Sequence, residues 1–555
     1  MISVFTVLVL AIALLAGHLV LGLTGAFAGR GQLERQALAV LAGFSVLAFV
    51  VTLLGLAGPL SGGAAWSITA VLAAGGAWGL WRQLQSGAGA PRLTTEPHGL
   101  AGSRPFELVG IGLVLAFSAF TVFYASSMPV HIFDPIYHFA YKGKLLLHEG
   151  LLMESWTDVE GPIGRVITHP DYPPGVGALE AFLGALAGGF DEDATRPLFA
   201  LFVLATTAVL WSGLRRAGRL AAVTGTLLWA TMPFLFYSRL PHPELGKGIF
   251  GLFAGPAAGE ARFGATGGQD KWSMPDGWTL DGTGDLPLAA LFSVGLLLLV
   301  THLHRAPDAR RRGDLVLAGL LLGGGALMKN EGLALLPIAA LALGLSELVR
   351  SRLVPTAKLL PGAVAIGTTL VVALVVAGPW LAVRGDVPTI GEDYPSRLSP
   401  AGLVEAWNST QPVLTEVEGE EPPVRRVPAI VLTGFTDALI SVPRFGLAWL
   451  LFGASLVLAL LRPKRLAKSP ALPAALAVLG AFAMYALVLL VTPWNLSHLF
   501  KTAIPDRLIF HVAPLAVFAA ALLICGRDPH EAAELTAADG DDAPGDAGGD
   551  QADPT

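Results

Sequence analysis

The sequence predicts an all-α integral membrane protein, and three observations carry that prediction. First, the 555 residues are 53% hydrophobic and only 14% charged, with a mean hydropathy of +0.62. A soluble chain carries about 25% charged residues. Second, apolar runs of about 20 residues recur along the chain, the length a helix needs to cross a bilayer core. Third, a lipid environment forces each span to satisfy its own backbone hydrogen bonds, which selects helices.

The candidate spans fall at residues 3–23, 35–59, 63–82, 106–127, 173–190, 197–213, 219–237, 285–304, 314–328, 331–348, 360–383, 444–461, 470–491 and 507–525. They give a bundle of about 13–14 transmembrane helices. The first run has no basic start, and AGHLVLGL is a poor cleavage context, so it reads as a retained span and not a signal peptide. The run at 173–190 is broken by Pro173, Pro174, several Gly and Glu180. It fits a segment that dips into the membrane without crossing, which needs a protein or water-cavity covering.

Basic clusters assign the cytoplasmic side. They include Arg30 with Arg35, Arg82 with Arg92 and Arg104, RRAGR at 215–219, RAPDARRRG at 305–313, VRSR at 349–352 and RPKRLAK at 462–468. Four segments then face outward: 128–172, 238–284, 385–443 and 492–506. Three regions follow from this. Residues 1–105 hold the N-terminal spans and a cytoplasmic loop, 106–525 the main membrane module, and 526–555 an acidic tail. The net charge is −6, yet residues 527–555 alone carry nine acidic groups and one Arg. That tail is rich in Gly, Ala, Asp and Pro, cannot bury enough apolar surface to order itself, and reads as a disordered cytoplasmic extension. The single cysteine, Cys525, excludes an intrachain disulfide and a thiolate zinc site. High Ala, Gly, Arg and Leu content points to a GC-rich bacterial gene.

The reactive side chains gather on the outward segments. In HIFDPIYHFAYKGK, 131–144, Asp134 precedes Pro135, which suits a first helical turn. A helix over 135–149 places Asp134, His138 and Lys142 on one face, at i, i+4 and i+8. Ile136, Phe139, Ala140, Gly143 and Leu147 form an apolar face, so the segment reads as an amphipathic helix in the outer interface. Taken alone, Asp134 is equally an N-cap. In THPDYPPGVGALEAFL, Tyr172 and two prolines make an extended approach to a helix. Asp285 opens a later span, as a cap or as a second carboxylate. In GGGALMKNEGLALLP, 323–337, Lys329, Asn330 and Glu331 interrupt an apolar hairpin, and charges at membrane depth face a cavity or each other. The three glycines permit close helix packing or a bend. Ahead of the last span come His498, Lys501, Asp506 and Arg507. Arg507 is either an interfacial snorkelling residue or a bidentate oxyanion ligand.

The order of these motifs is more specific than any one of them. An Asp-bearing interfacial helix, YPP, GDLPLA at a span start, a KNEG hairpin and a His…Arg approach to the last helix resemble the GT-C superfamily of membrane glycosyltransferases. Bacterial relatives of the protein O-mannosyltransferases and lipid A aminoarabinose transferases are the nearest in pattern. The resemblance covers about residues 106–520. It implies a GT-C-like fold whose first external loop carries the catalytic carboxylate, Asp134, with Asp285 completing the site. It implies donor-phosphate contacts from Arg507 and Lys329. Glu331, His138, Tyr172, His498 and Lys142 become supporting or acceptor-binding residues. The chain departs from the family where the common Asp-Glu pair is Asp134-Pro135, and where 238–284 is enlarged with Trp272 and Trp278.

The implied reaction is inverting transfer of a sugar from a polyprenyl-phosphate donor to a hydroxyl of a glycan, lipid or protein acceptor. It takes place at the outer face of the cytoplasmic membrane. The partners are that donor, that acceptor and membrane lipids, with no nucleic acid. No cofactor is required. Some superfamily members use a divalent metal, and Asp134, Asp285 and Glu331 are oxygen donors, but no ligand spacing demands one. The rival class is a polytopic transporter or flippase. Such proteins often carry inverted repeats and place charges at the midplane, whereas here no repeat is visible and the charges cluster toward one face.

Overall fold

The computed structural model describes residues 4–86, 104–127, 135–151, 169–236, 279–280, 282–305, 309–353, 359–387, 394–413, 423–496, 499 and 504–526. Asp134, His498, Lys501, Trp272, Trp278 and the acidic tail lie outside the described residues.

The chain is an all-α, multi-pass membrane protein. Among the described residues nine helices are long and apolar enough to cross a membrane, or ten if one bent pair forms a single span. The first four are α1 (Val4–Thr24), α2 (Gln32–Gly55), α3 (Gly62–Gln85) and α4 (Arg104–Ser127). A π-helical turn over Pro135–Ala140 runs into α5 (Tyr141–His148). Then come α6 (Gly175–Ala187), α7 (Glu192–Arg215), α8 (Arg219–Ala230), α9 (Asp285–His304), α10 (Arg312–Met328), α11 (Asn330–Leu353) and α12 (Leu359–Arg384). Two short helices follow, α13 (Tyr394–Arg397) and α14 (Pro400–Asn408), and then a two-stranded antiparallel ribbon, β1 (Thr410–Pro412) with β2 (Val424–Arg426). The chain continues through α15 (Val427–Ile440), α16 (Val442–Phe445), α17 (Ala448–Leu460), α18 (Pro463–Lys468) and α19 (Ala471–Val491). It ends in α20 (Ile504–Phe510) and α21 (Ala513–Cys525), bent by 55° at their junction.

Each of the fourteen expected spans coincides with a helix, but several are too short to cross. The helix in 173–190 is α6, with 13 residues, and that in 219–237 is α8, with 12. At 1.5 Å per residue each spans about 20 Å or less, short of a bilayer core of about 30 Å. α6 is buried along nearly its whole length, as expected of a segment that dips in under cover. α8 stops before Pro233, which starts a single 3-10 turn.

α9 is the central helix, buried along nearly its whole length. A helix apolar on all sides belongs inside a bundle. Small residues bring its neighbours close. A Cβ at Gly323 would sit 2.5 Å from the Ala373 carbonyl of α12, one at Gly324 would meet Ser45 Oγ of α2 at 2.2 Å, and one at Gly325 would lie 3.3 Å from Leu288 of α9. The GGG run therefore touches three different helices from α10, and close packing is its role. In the α1–α2 pair, a Cβ at Gly17 would stand 1.8 Å from Ala39 O and one at Gly43 1.8 Å from Ala13 O.

At the far end of α9 a buried ionic cluster ties the helix ends together. Arg30 bridges Glu34 and, at 2.6 Å, Asp314. Asp314 also takes Arg305 at 2.5 Å, and Glu34 takes Arg216 at 2.6 Å. These residues come from the basic clusters of the sequence, and they gather at the end of the 20-residue α9 opposite Asp285.

Candidate functional site

Asp285 is the first residue of α9 and has no solvent exposure. Its Oδ1 accepts from Lys329 Nζ at 2.7 Å and from His511 Nε2 at 2.7 Å. Its Oδ2 accepts from Arg507 Nε at 2.9 Å and from Nη2 at 2.8 Å. Arg507 thus grips one carboxylate oxygen through two N–H groups. Three elements deliver these donors. Lys329 occupies the extended residue between α10 and α11, where φ −159° and ψ 150° break the helix and turn the side chain inward. Arg507 lies on α20, and His511 lies in the break between α20 and α21. Pro514, at the start of α21, explains that break, because its ring cannot continue the preceding helix.

The network extends in two directions from Asp285. On one side Tyr485 Oη lies 2.9 Å from His511 Nδ1. With Nε2 donating to Asp285, Nδ1 accepts the tyrosine proton, so both ring nitrogens are occupied in a neutral tautomer. On the other side Lys329 Nζ also reaches Glu331 Oε1 at 3.1 Å. Glu331 Oε2 and Asn330 Oδ1 are both buried without a partner among the described residues. Two unfilled acceptors on adjacent residues favour a ligand that brings hydrogen-bond donors.

Asn330 connects this layer to a second cluster, donating from Nδ2 to Asp171 Oδ2 at 3.3 Å. There Lys142 Nζ donates to the carbonyls of His169 at 2.7 Å and Tyr172 at 2.6 Å. The His169 and Tyr172 rings stack at 4.6 Å, and His138 meets His169 edge-on at 4.7 Å. Lys142 is wholly buried. Burial pushes its ammonium well below the usual lysine range, while the charge of Asp171 acts in the opposite sense. The segment 135–149 therefore does not lie free in an interface as expected. Its polar face is covered by the 169–172 segment. Its other side is pressed on α6, where a Cβ at Gly177 would stand 2.7 Å from Gly143 N.

The structure thus joins Asp285, Lys329, Glu331 and Arg507 in one buried layer, and gathers His138, Lys142 and Tyr172 in an adjoining one. Asp134 and His498 are outside the described residues. Four participants were not singled out from the sequence: His511, Tyr485, Asp171 and His169. His511 stands four residues after Arg507, a spacing that puts both on one helical face and offered a signal. Tyr485 is a lone hydroxyl in an apolar span and offered none. Asp506 is also tied into the fold, to Arg444.

The layer pairs two carboxylates, Asp285 and Glu331, with two cations, Lys329 and Arg507. Buried charges persist only when paired and hydrogen-bonded, and Asp285 has four donors within 2.9 Å. A carboxylate held in this way is a poor proton acceptor and a strong positioning group. Among the described residues no group of three or more His, Cys, Asp or Glu is arranged to hold a metal ion. Comparison with protein-family models, with curated proteins and with solved structures gave no match.

Proposed function

We propose that the chain is an inverting glycosyltransferase that moves a sugar from a polyprenyl-phosphate donor to an acceptor hydroxyl. The observation that carries this reading is the meeting of Lys329 and Arg507, from separate elements, on the single buried carboxylate of Asp285. A transporter needs polar groups distributed along a path, whereas these groups converge at one end of the bundle.

In this reading Asp285 is a positioning residue. It fixes both cations at one spot and prevents either from collapsing onto solvent or the other carboxylate. The donor phosphate lies against that cation pair. The acceptor oxygen attacks the anomeric carbon from the face opposite the phosphate, and the bond from that carbon to the phosphate oxygen breaks. The electron pair leaves on the polyprenyl phosphate, and the acceptor proton passes to Asp134 as general base. Preoriented cations stabilise the charge that develops on the leaving group without reorganising. Glu331 and Asn330, each with an unfilled oxygen, accept hydrogen bonds from sugar hydroxyls. Where the family has an Asp-Glu pair this chain has Asp134-Pro135, which leaves Asp134 as the one carboxylate of that pair.

The test is sugar transfer by membranes carrying Arg507→Lys. Lysine keeps the charge but loses the planar fork. The reading expects transfer to fall by about 100-fold, the size of effect of one oxyanion-stabilising group. Unchanged transfer would remove Arg507 from the donor site. The second reading, a transporter or flippase, is favoured by the complete burial of the Asp285–His511–Tyr485 relay. Movement of a labelled lipid-linked sugar across proteoliposomes without any transfer would establish it.

A further inference from the structure

A cavity of about 630 Å³ opens outside the charged layer, between α13, α14, β1 and the end of α19. Its volume falls within the range of about 300–1,000 Å³ common to small-ligand sites. Its wall is polar. Arg397, Glu405, Ser409, Gln411 and Thr492 line it, with Val491 at its floor. Two lining side chains, Gln411 and Ser399, hold the wall in place. Gln411 Oε1 accepts from Leu496 N at 2.9 Å, and its Nε2 donates to Trp494 O at 3.4 Å. Ser399 Oγ accepts from Gly402 N at 3.1 Å and caps α14.

The electrostatics of the cavity differ from those of the charged layer. α19 ends at Val491, so its last carbonyls point toward the cavity and present the negative end of the helix. Pro493 has no N–H with which to cap them. Arg397 Nη1 donates to Val491 O at 3.4 Å, and its guanidinium keeps its charge and further N–H groups at the wall. Glu405 supplies a carboxylate on the exposed side of α14. The cavity therefore offers both acceptors and donors to a ligand. Trp494, with 43% exposure, stands one residue beyond lining residue Pro493, and its carbonyl accepts from the lining Gln411. Tyr485, which meets His511 beside the charged layer, lies six residues back along α19 from Val491, about 9 Å along the axis.

We propose that this cavity binds a neutral saccharide, and that this saccharide is the acceptor glycan of the transfer reaction. Neutral hydroxyls, which both donate and accept, match a wall of helix-end carbonyls, one carboxylate, one guanidinium and hydroxyls. The exposed Trp494 beside the lining segment is of the kind that packs on the apolar face of a sugar ring. A glycan seated there extends its terminal residue toward the charged layer, where the donor lies. The role as acceptor rests on the glycosyltransferase reading, but saccharide binding does not.

The test is saturation-transfer NMR with the full chain in lipid nanodiscs, because maltoside detergents are themselves saccharides. The probes are mannotriose, galactotriose and chitotriose, with inorganic phosphate and spermidine as charged controls. The expected result is that at least one neutral trisaccharide binds and that phosphate does not displace it. Ala406→Phe, which fills the cavity from α14, is expected to weaken binding by about tenfold or more, and the milder Glu405→Gln by several-fold. Failure of every neutral trisaccharide to bind would overturn the proposal. So would binding of spermidine alone, or undiminished binding by Ala406→Phe with the helical content of wild type. Saccharide binding without transfer from any donor would leave the site standing and sink the transferase reading. Transfer with an acceptor KM unchanged in Ala406→Phe would do the reverse.

Discussion

Asp285→Asn is expected to cost about 3–5 kcal/mol of stability, the range for breaking a buried ion pair from one side. The magnitude follows from geometry. Asparagine keeps the size of the side chain and one acceptor oxygen, which can still serve Lys329 and His511. Its amide nitrogen then replaces Oδ2, which faces Arg507 Nε at 2.9 Å and Nη2 at 2.8 Å. A donor would confront two donors, and the guanidinium would lose its buried counter-charge. Lys329 keeps Glu331 at 3.1 Å and suffers less. Equilibrium unfolding in mixed micelles measures the cost. The cycle adds Arg507→Met and the double variant, and the coupling between them is expected to be about 2–3 kcal/mol. A cost under about 1 kcal/mol for Asp285→Asn, or coupling near zero, would refute the view that Asp285 holds the layer together.

Three further outcomes follow. Lys142, held well below its usual range by burial, binds fewer protons in the folded than in the unfolded chain at pH values between its lowered value and about 10.4. Stability therefore rises with pH across that window; Lys142→Met is expected to abolish the slope in pH-dependent unfolding. Gly43→Leu puts a side chain where a Cβ would already stand 1.8 Å from Ala13 O. It should force α1 from α2 and cost about 3 kcal/mol or more, measured by the same unfolding assay. His511→Phe keeps the ring volume but removes a donor from Asp285 and leaves the Tyr485 hydroxyl without its acceptor. The expected loss is about 1–3 kcal/mol, and Tyr485→Phe in the same chain should recover part of it.

The helices were legible because about 20 consecutive apolar residues admit one solution in lipid. Their lengths were not. Hydropathy marks 219–237 as one run, while α8 ends at Ala230 because the chain turns before Pro233. Charged residues inside apolar sequence announced Asp285, Lys329, Glu331 and Arg507, since membrane-depth charges must find partners. What the sequence left open is whether these residues face a cavity or each other. That depends on the Lys329 break and the bend at His511, both tertiary features. Lys142 was read with the wrong surroundings for a similar reason. Its helical spacing is amphipathic, and nothing local reveals that the carbonyls of His169 and Tyr172, some 30 residues on, cover its polar face. Tyr485 illustrates the limit most simply, because a single hydroxyl has no periodicity.

The most direct measurement of the central claim is transfer from a set of radiolabelled polyprenyl-phosphate sugars, using membranes with wild type or Asp134→Asn. Asparagine keeps the size and removes the base. The account expects transfer from one of the donors by wild type and its loss in Asp134→Asn at normal expression. Undiminished transfer by the variant would contradict the assigned base, and no transfer by wild type from any donor, with acceptor-bearing membranes supplied, would contradict the function itself.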